Sequence, residues 1–416
     1  MKTNLHVKTR EMKANLTMRR RAGILCGLGT TFLLLLIGQS CSAATVTWDG
    51  GGDGRSWNDA VNWSNDRVPG VTDNVVLPAS TATNVFYRGT QPSPRSLRNN
   101  GTLRIAGNGA VGNAALTVSG SLTNFGTIIL ESSDSSYNET LTVGGILRNN
   151  ANGVIQVNQG SGGGRYLYAN VANEGTLNVT NGTELYCYGA GRTFDQQAGT
   201  VNGAGKFVWS DGWFSYAGGS VTGAVYVRDG VLEVAEAAAN SSIYCSGNTT
   251  LIANWAEGVT VWVQGNSWYG NAILTTSEGA INAGTIRLES AHSSYQSALS
   301  IGGFDFLNAP TGVIDVNTGT GGPRSISGHF INQGLVDATD YYVDIFGVYE
   351  SAGGRTLGNA RLQSASVSVT ASPDQPTTLD LWGNTTLLTD NLPNTVLWVH
   401  GNSGGGSHAT LTATLA

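Results

Sequence analysis

Beyond residue 43 the sequence contains one lysine, Lys206, and little charge of either sign. Only 12% of all residues are charged, and residues 1–43 hold seven of the 22 Lys/Arg but one of the 28 Asp/Glu. The remainder therefore carries 15 basic and 27 acidic side chains, a net charge of −12. Binding to nucleic acid requires a basic surface, so this composition excludes a nucleic acid as a partner.

Long apolar runs are missing after the N-terminal segment. Residues 1–43 combine basic residues 19–21, an apolar run to Ile37 and small residues at the end, which predicts a signal peptide cleaved after Ala43 or Ala44. Cys41 leaves a lipoprotein as the alternative, although Gly38 stands where a lipobox usually has leucine. No later stretch approaches the ~20 apolar residues of a membrane span. We expect an exported protein, at the cell surface or extracellular, with no membrane span after the signal peptide.

Cysteine is also scarce. Beyond the leader the chain has Cys187 and Cys245, which lie in the similar settings Leu-Tyr-Cys-Tyr-Gly and Ile-Tyr-Cys-Ser-Gly. Export permits a disulfide between them, and a pair of buried thiols is equally consistent with these settings. The sequence leaves both alternatives open.

Repetition is what the sequence has in abundance. Segment 131–137 (ESSDSSY) matches 289–295 (ESAHSSY) at an offset of 158 residues, and 247–251 (GNTTL) matches 383–387 at an offset of 136. These matches predict a signal peptide (1–43), an N-terminal cap (44–78) and a repeat region (79–416) with long repeats at about 100–246 and 247–382 and a partial copy at 383–416. The break inside the third copy predicts a fragment of a longer repeat protein.

A shorter repeat lies inside the long one. Apolar residues alternate with polar ones over four to six residues, and Asn-x-Gly turns recur in steps of 22–28 residues. Runs with a period of two form half-buried strands rather than helices. A hairpin array needs turns every ~8–12 residues, and a β-propeller repeats at roughly 40–50 residues. We therefore predict an all-β fold, a right-handed parallel β-helix of roughly 14 coils, over a propeller or a sandwich.

The recurring asparagines should occupy one corner of this β-helix. Each coil places its asparagine directly above that of the preceding coil, so the side-chain amides can hydrogen-bond along the ladder. The predicted stack includes Asn124, Asn173, Asn282 and Asn332.

The segment 47–77 is rich in tryptophan, glycine and aspartate. It lacks the helix and the Lys-Ser/Thr of a phosphate loop, and residues 50–55 (GGGDGR) do not fit the calcium-binding pattern G-G-x-G-x-D. The end of a β-helix is apolar and unpaired, so we predict that Trp48, Trp57 and Trp63 cap it and that residues 72–77 begin the ladder. An adventitious calcium ion remains an alternative, on Asp49, Asp53, Asp59, Asp66 and Asp73.

The same segment carries a family resemblance. The pattern Trp48-x-Gly-Gly-Gly, Trp57-x4-Asn62-Trp63 and Val68-Pro69-Gly70 resembles the N-terminal signature of large exported bacterial repeat proteins. These are the autotransporter-associated β-strand and PEP-CTERM-type surface proteins, and the Asn-x-Gly-x-Leu-x-Val coils are similar to their passenger regions. The resemblance covers essentially the whole mature chain and implies an exported β-helical surface or matrix protein. A C-terminal translocator barrel, a sorting motif and an anchor are not part of this match.

Parallel β-helices also carry polysaccharide lyases and glycoside hydrolases, so an enzyme is the alternative. Such sites need clustered carboxylates or calcium with a basic residue, and the sequence shows no such series. Glu131 and Glu289 are the best carboxylate candidates because each recurs in Glu-Ser-x-x-Ser-Ser-Tyr, but we interpret them as exposed polar turns. Arg165 and Arg324 follow glycine-rich bends and are interpreted as charges at loop tips. The histidines have no metal partner at a suitable spacing: His292, His329, His400 and His408.

One aromatic segment interrupts the repeat. Residues 206–216 (KFVWSDGWFSY) lie where the second long copy is shorter by one coil. Trp209, Trp213 and Tyr216 are the candidate carbohydrate-binding residues, because aromatic rings on the flank of a β-helix can stack on sugar rings. In the alternative interpretation, half of these aromatics alternate into the core.

These observations predict a non-catalytic exported protein with a structural or adhesive role at the cell surface or in the extracellular matrix. The expected partner is a polysaccharide or another surface ligand, and no cofactor or metal is expected apart from adventitious calcium. The alternative is a polysaccharide lyase or glycoside hydrolase on the same scaffold.

Overall fold

The computed structural model describes residues 43–80, 84–134, 136–235, 241–252, 254, 257–390, 393–401 and 410–413. Residues 1–42, which make up nearly all of the predicted signal peptide, and His408 lie outside this description. In the described ranges no helix is both long and apolar enough to cross a membrane.

The described chain forms a parallel β-helix of about 14 turns, which confirms the predicted fold. Besides a short 3-10 helix, Ala60–Asn62, its regular elements are strands. The strands are β1 (Thr45–Thr47), β2 (Asn74–Leu77), β3 (Asn84–Tyr87), β4 (Ser96–Asn99), β5 (Thr102–Ile105), β6 (Ala114–Val118), β7 (Leu122–Asn124), β8 (Thr127–Ser132), β9 (Glu139–Asn149), β10 (Val154–Gly160), β11 (Arg165–Asn173), β12 (Thr176–Val179), β13 (Glu184–Tyr188), β14 (Thr193–Gln196), β15 (Thr200–Ser210), β16 (Trp213–Tyr216), β17 (Ser220–Arg228), β18 (Val231–Val234), β19 (Ser241–Ile252), β20 (Val259–Gly265), β21 (Ala272–Thr276), β22 (Ile281–Asn282), β23 (Thr285–Ser290), β24 (Ser297–Asn308), β25 (Val313–Val316), β26 (Arg324–Asn332), β27 (Leu335–Ala352), β28 (Arg355–Gln363), β29 (Ser366–Ala371), β30 (Thr377–Trp382), β31 (Asn384–Leu387), β32 (Thr395–His400) and β33 (Thr410–Ala413).

Alternation along each strand places one row of side chains in the core. Ile155 pairs in parallel with Ile128 on one side and with Leu177 on the other, and Leu177 pairs with Val201. All four side chains are buried, because residues with the same parity face inward on every coil. The steps between these partners, 27, 22 and 24 residues, lie in the predicted range.

The coils become shorter in the middle of the chain. Phe194, Phe214, Leu232 and Leu251 are successive partners, separated by 20, 18 and 19 residues. Strands β15 and β17 each continue through a corner instead of ending at a loop, which removes residues from the coil. Gly223 turns one such corner at φ +76°, where an added Cβ would lie 2.4 Å from the carbonyl oxygen of Gly203. Sequence analysis did not predict these short coils.

The predicted asparagine stack is present at a buried corner. Side-chain amides donate from Asn99 to Asn124, from Asn124 to Asn149 and from Asn149 to Asn173, each over 2.8 Å. A second run joins Asn282, Asn308 and Asn332 over 2.8 and 2.9 Å. Each amide also donates to a backbone carbonyl at the adjacent turn, as Asn149 does to Thr176 over 3.1 Å. The stack therefore satisfies polar groups that the corner removes from water.

Three buried indoles pack together at the N-terminal end of the described chain. Trp63 meets Trp48 and Trp57 edge to face, with ring centroids 5.0 and 4.8 Å apart, and its Nε1 donates to the carbonyl oxygen of Trp57 over 2.8 Å. These are the residues predicted to form a cap. The ladder, however, begins earlier than predicted, because β1 already pairs in parallel with β2.

The two cysteines face the core as free thiols. Cys187, Trp209, Val227 and Cys245 are successive partners across neighbouring strands. Three strand spacings separate the cysteines by about 14 Å, whereas a disulfide requires Cα atoms within about 7 Å. The buried-thiol alternative is the one that the structure shows.

Candidate functional site

The structure separates the three aromatic residues predicted to bind carbohydrate. Trp209 and Tyr216 are fully buried, whereas the Trp213 residue is 39% exposed. The reason is strand parity: Phe207 and Trp209 face inward on β15, and Phe214 and Tyr216 face inward on β16. The prediction of a shared platform was therefore wrong for Trp209 and Tyr216, which serve the core, and Trp213 alone of the three reaches the surface.

Trp213 lines an open cleft of about 470 Å³. Its indole Nε1 donates to Glu233 Oε2 over 2.9 Å, which holds the ring in place across one coil. We call this feature the Trp213 cleft; its lining consists of residues 191–193, 211–213, 229–231, 248 and 250.

Tight turns and one cation form the walls of the Trp213 cleft. Asp211 and Asp229 adopt positive φ angles of 63° and 50°, each immediately before a glycine, so their turns stack on neighbouring coils. Arg192 donates through Nη1 to the carbonyl oxygen of Tyr188 over 3.1 Å. Asp229 accepts from the backbone amide of Asn248 over 2.9 Å. Hydrogen-bonding groups thus surround an exposed indole, which is the combination that aromatic stacking on a sugar requires.

A row of outward-facing aromatics borders the cleft. We call it the tyrosine face. Tyr188 stacks on Tyr168 with centroids 4.9 Å apart and 7° between the ring planes, and Tyr244 stacks on Trp262 at 4.7 Å and 20°. Burial raises the pKa of Tyr226 to about 12, which keeps this phenol protonated and able to donate. The members of the tyrosine face are Tyr166, Tyr168, Tyr186, Tyr188, Tyr226, Tyr244 and Trp262.

Sequence analysis missed the tyrosine face, although a signal was present. Tyr166 and Tyr168 alternate along one strand, and Tyr186 and Tyr188 alternate in the same way 20 residues later. That distance is close to one coil, and the structure places Tyr166 beside Tyr186. Tyrosines that repeat with both the strand period and the coil period indicate an outward aromatic row.

Arg165 and Arg324 do not lie at loop tips, and that prediction was wrong. Both side chains are buried, at 1% and 0% exposure of the residue. Glycines at positive φ, Gly162 and Gly163 in the first copy, bend each loop back so that its carbonyl groups point at the guanidinium. Arg324 donates to the carbonyl oxygens of Asn317 and Thr318 over 2.8 and 2.7 Å.

The two buried arginines differ in their acidic partner. Arg165 forms an ion pair with Glu139, with 2.7 Å between Nη1 and Oε2, and Glu139 also accepts from the backbone amide of Gly107. Ser297 occupies the position of Glu139 beside Arg324. Burial raises the pKa of Glu139 to about 7, while the charge of Arg165 opposes this change. Because the pair is sealed from solvent, its role is structural.

Glu131 and Glu289 lie at strand ends, whereas the sequence predicts exposed turns for both. Glu131 accepts from Asn158 over 2.6 Å and lies 3.6 Å from Arg104. Burial raises the pKa of Glu289, while Arg287 lowers it. Both carboxylates are partly buried.

The described residues contain no group of three or more His, Cys, Asp or Glu that could hold a metal ion. Asp53, one of the proposed calcium ligands, instead accepts from Ser56 and Asn62, and these hydrogen bonds hold its pKa well below the usual range. Asp73 pairs with Arg67 over 2.6 Å.

Comparisons of this chain with protein-family models, with curated proteins and with solved structures found no match. The resemblance to exported bacterial repeat proteins therefore stays a prediction. The function of the chain is accordingly inferred from the geometry of the Trp213 cleft and the tyrosine face.

Proposed function

We propose that this chain is a non-catalytic, exported β-helical protein of the cell surface or extracellular matrix that binds polysaccharide. The observation that carries the proposal is the exposed indole of Trp213, which is fixed by Glu233 inside a cleft lined by hydrogen-bonding groups. Aromatic rings provide a flat apolar contact for a sugar ring, and the surrounding polar groups bind its hydroxyls. The basic and apolar N-terminal segment and the resemblance to surface repeat proteins support export.

Replacing Trp213 should weaken polysaccharide binding without unfolding the protein. We expect Trp213→Ala to lower affinity for the preferred polysaccharide about tenfold, because it removes one stacking ring. Residues 44–416 would be titrated with neutral glucan, xylan, polygalacturonate and alginate, with binding measured by calorimetry. Trp398→Ala is the matched control, since Trp398 is an exposed tryptophan, 58%, outside the cleft. Equal affinity of the Trp213→Ala variant and the unaltered chain would rule out the cleft as a binding site.

A polysaccharide lyase or hydrolase is the second candidate, and one observation favours it. Glu289 has a raised pKa and lies among the positive charges of Arg287 and Arg324, so it combines an acid with basic neighbours. Incubation of the same polysaccharides with the protein, with and without calcium, tests this candidate. Release of reducing ends or unsaturated products that is lost in Glu289→Gln would replace the binding proposal with an enzymatic one.

A further inference from the structure

Two connected cavities lie along the edge of the tyrosine face opposite the Trp213 cleft. Their volumes are about 370 and 390 Å³, and they share residues 182–184. Tyr166 and Tyr186 line the first cavity and Lys206 lines the second. Together they form a groove that crosses four successive coils; we call it the Lys206 groove. Glu184 begins strand β13, whereas the Trp213 cleft lies beyond the other end of that strand, so the two sites are separate.

A rigid loop brings a tryptophan to this groove. Residues 266–270 fold back across three coils, and Lys206 Nζ lies 4.2 Å from the centre of the Trp268 ring. Asn266 closes the loop by exchanging backbone hydrogen bonds with Gly270 over 2.9 and 2.8 Å. Tyr269 anchors the loop on Tyr226, with ring centroids 5.5 Å apart. The ring of Trp268 is thus held beside the groove, yet the residue remains 74% exposed.

The internal repeat shows that the loop does not need this tryptophan. Residues 108–112 form the same closed loop in the first long copy, where Asn108 and Gly112 exchange backbone hydrogen bonds over 3.0 and 2.7 Å. At the offset of 158 residues, Ala110 stands at the position of Trp268. Folding of the loop therefore explains neither the presence of an indole nor its exposure. An exposed large aromatic residue beside a groove is typical of a ligand contact.

We propose that the Lys206 groove is a second glycan site, that it takes a neutral polysaccharide, and that Trp268 stacks on one of its sugar rings. Charge determines the class of ligand. Glu184 and Lys206 are register partners on adjacent strands, so opposite charges face the groove in equal number. Arg165, at the end of the groove, is neutralised by Glu139. The tyrosine hydroxyls and the backbone of the glycine-rich turns supply hydrogen bonds to uncharged sugar hydroxyls.

The test uses Trp268→Ala, which installs the residue of the first copy. We expect about tenfold weaker binding of a neutral glucan or xylan, with an unchanged melting temperature because the side chain is exposed. Trp268→Phe should restore most of the affinity. Lys206→Gln should change the affinity for neutral glycans less than twofold, because the ligand carries no charge. All three substitutions would also be measured in the Trp213→Ala background, where only the Lys206 groove remains intact.

The outcomes separate this site from the Trp213 cleft. Neutral glycan binding that survives Trp213→Ala and is weakened by Trp268→Ala supports the groove, whatever the result for the cleft. Affinity unchanged by Trp268→Ala overturns it, even if Trp213→Ala weakens binding. A preference for polygalacturonate or alginate that is lost in Lys206→Gln overturns the neutral class of ligand. An unaltered chain that binds none of the polysaccharides overturns both sites.

Discussion

Arg165→Met should lower the free energy of unfolding by about 3–5 kcal/mol, the usual cost of removing one partner from a buried ion pair. The carboxyl group of Glu139 would remain in the core without a cation. The carbonyl oxygens of Asn158, Gln159 and Gly162 would also lose their donors. We expect chemical denaturation at pH 8 to show the loss as a lower transition midpoint.

The second long copy offers a matched control. Arg324→Met removes the same guanidinium and similar carbonyl contacts, but Ser297 leaves no carboxylate behind. Arg324→Met should therefore cost less than Arg165→Met, and Glu139→Ser combined with Arg165→Met should recover part of the loss. Equal costs for the two single substitutions would show that the carboxylate of Glu139 contributes nothing to the effect.

Glu139 should also make stability depend on pH. Burial raises its pKa in the folded chain from 4.5 to about 7. Between these values the folded chain retains a proton that the unfolded chain has lost. The stabilisation is complete below pH 4.5 and is lost as the pH rises towards 7. Glu139→Gln should flatten this decline when unfolding midpoints at pH 5 and pH 8 are compared; an unchanged difference between the two midpoints would contradict it.

The repeating part of the fold was readable from the sequence because it depends on local rules. Alternation with a period of two predicts which side chain faces inward, and the coil step predicts which residues become neighbours. These two rules alone are enough to place Asn124 and Asn173 at one corner. The same parity rule, applied strictly to residues 206–216, assigns Phe207 and Trp209 to one face and Trp213 to an outward position.

The buried arginines and the Lys206 groove could not be predicted in this way. Whether Arg165 points outward depends on loop carbonyls that converge only after glycines adopt positive φ angles. Similarly, Trp268 and Lys206 are 62 residues apart and meet because a loop folds back over three coils. A repeat period predicts contacts between coils in register, but it contains no information about loops that cross several of them.

Asn149→Ala should destabilise the β-helix by about 2–5 kcal/mol. Asn149 accepts from Asn124 and donates to both Asn173 and Thr176, and its side chain is fully buried. Truncation removes a partner from each neighbouring amide, and a buried polar group left unsatisfied costs about 1–3 kcal/mol. Asn178→Ala is the control, because this outward side chain loses one partly exposed hydrogen bond to Gln156 and should change stability by less than about 0.5 kcal/mol.

Asn149→Asp separates the shape of the side chain from the direction of its hydrogen bonds. Aspartate fills the same space and still accepts from the amide of Asn124, but an ionised carboxylate cannot donate to Asn173 or to the carbonyl oxygen of Thr176. We therefore expect Asn149→Asp to be nearly as destabilising as Asn149→Ala at pH 7, as measured by the denaturation midpoint. A stability equal to that of the unaltered chain would mean that packing at the corner, rather than the directed amide stack, stabilises the coils. The direction matters because every amide in the run from Asn99 to Asn173 both accepts from and donates to its neighbours, except at the ends. One residue that only accepts interrupts the run for the coils on one side of it.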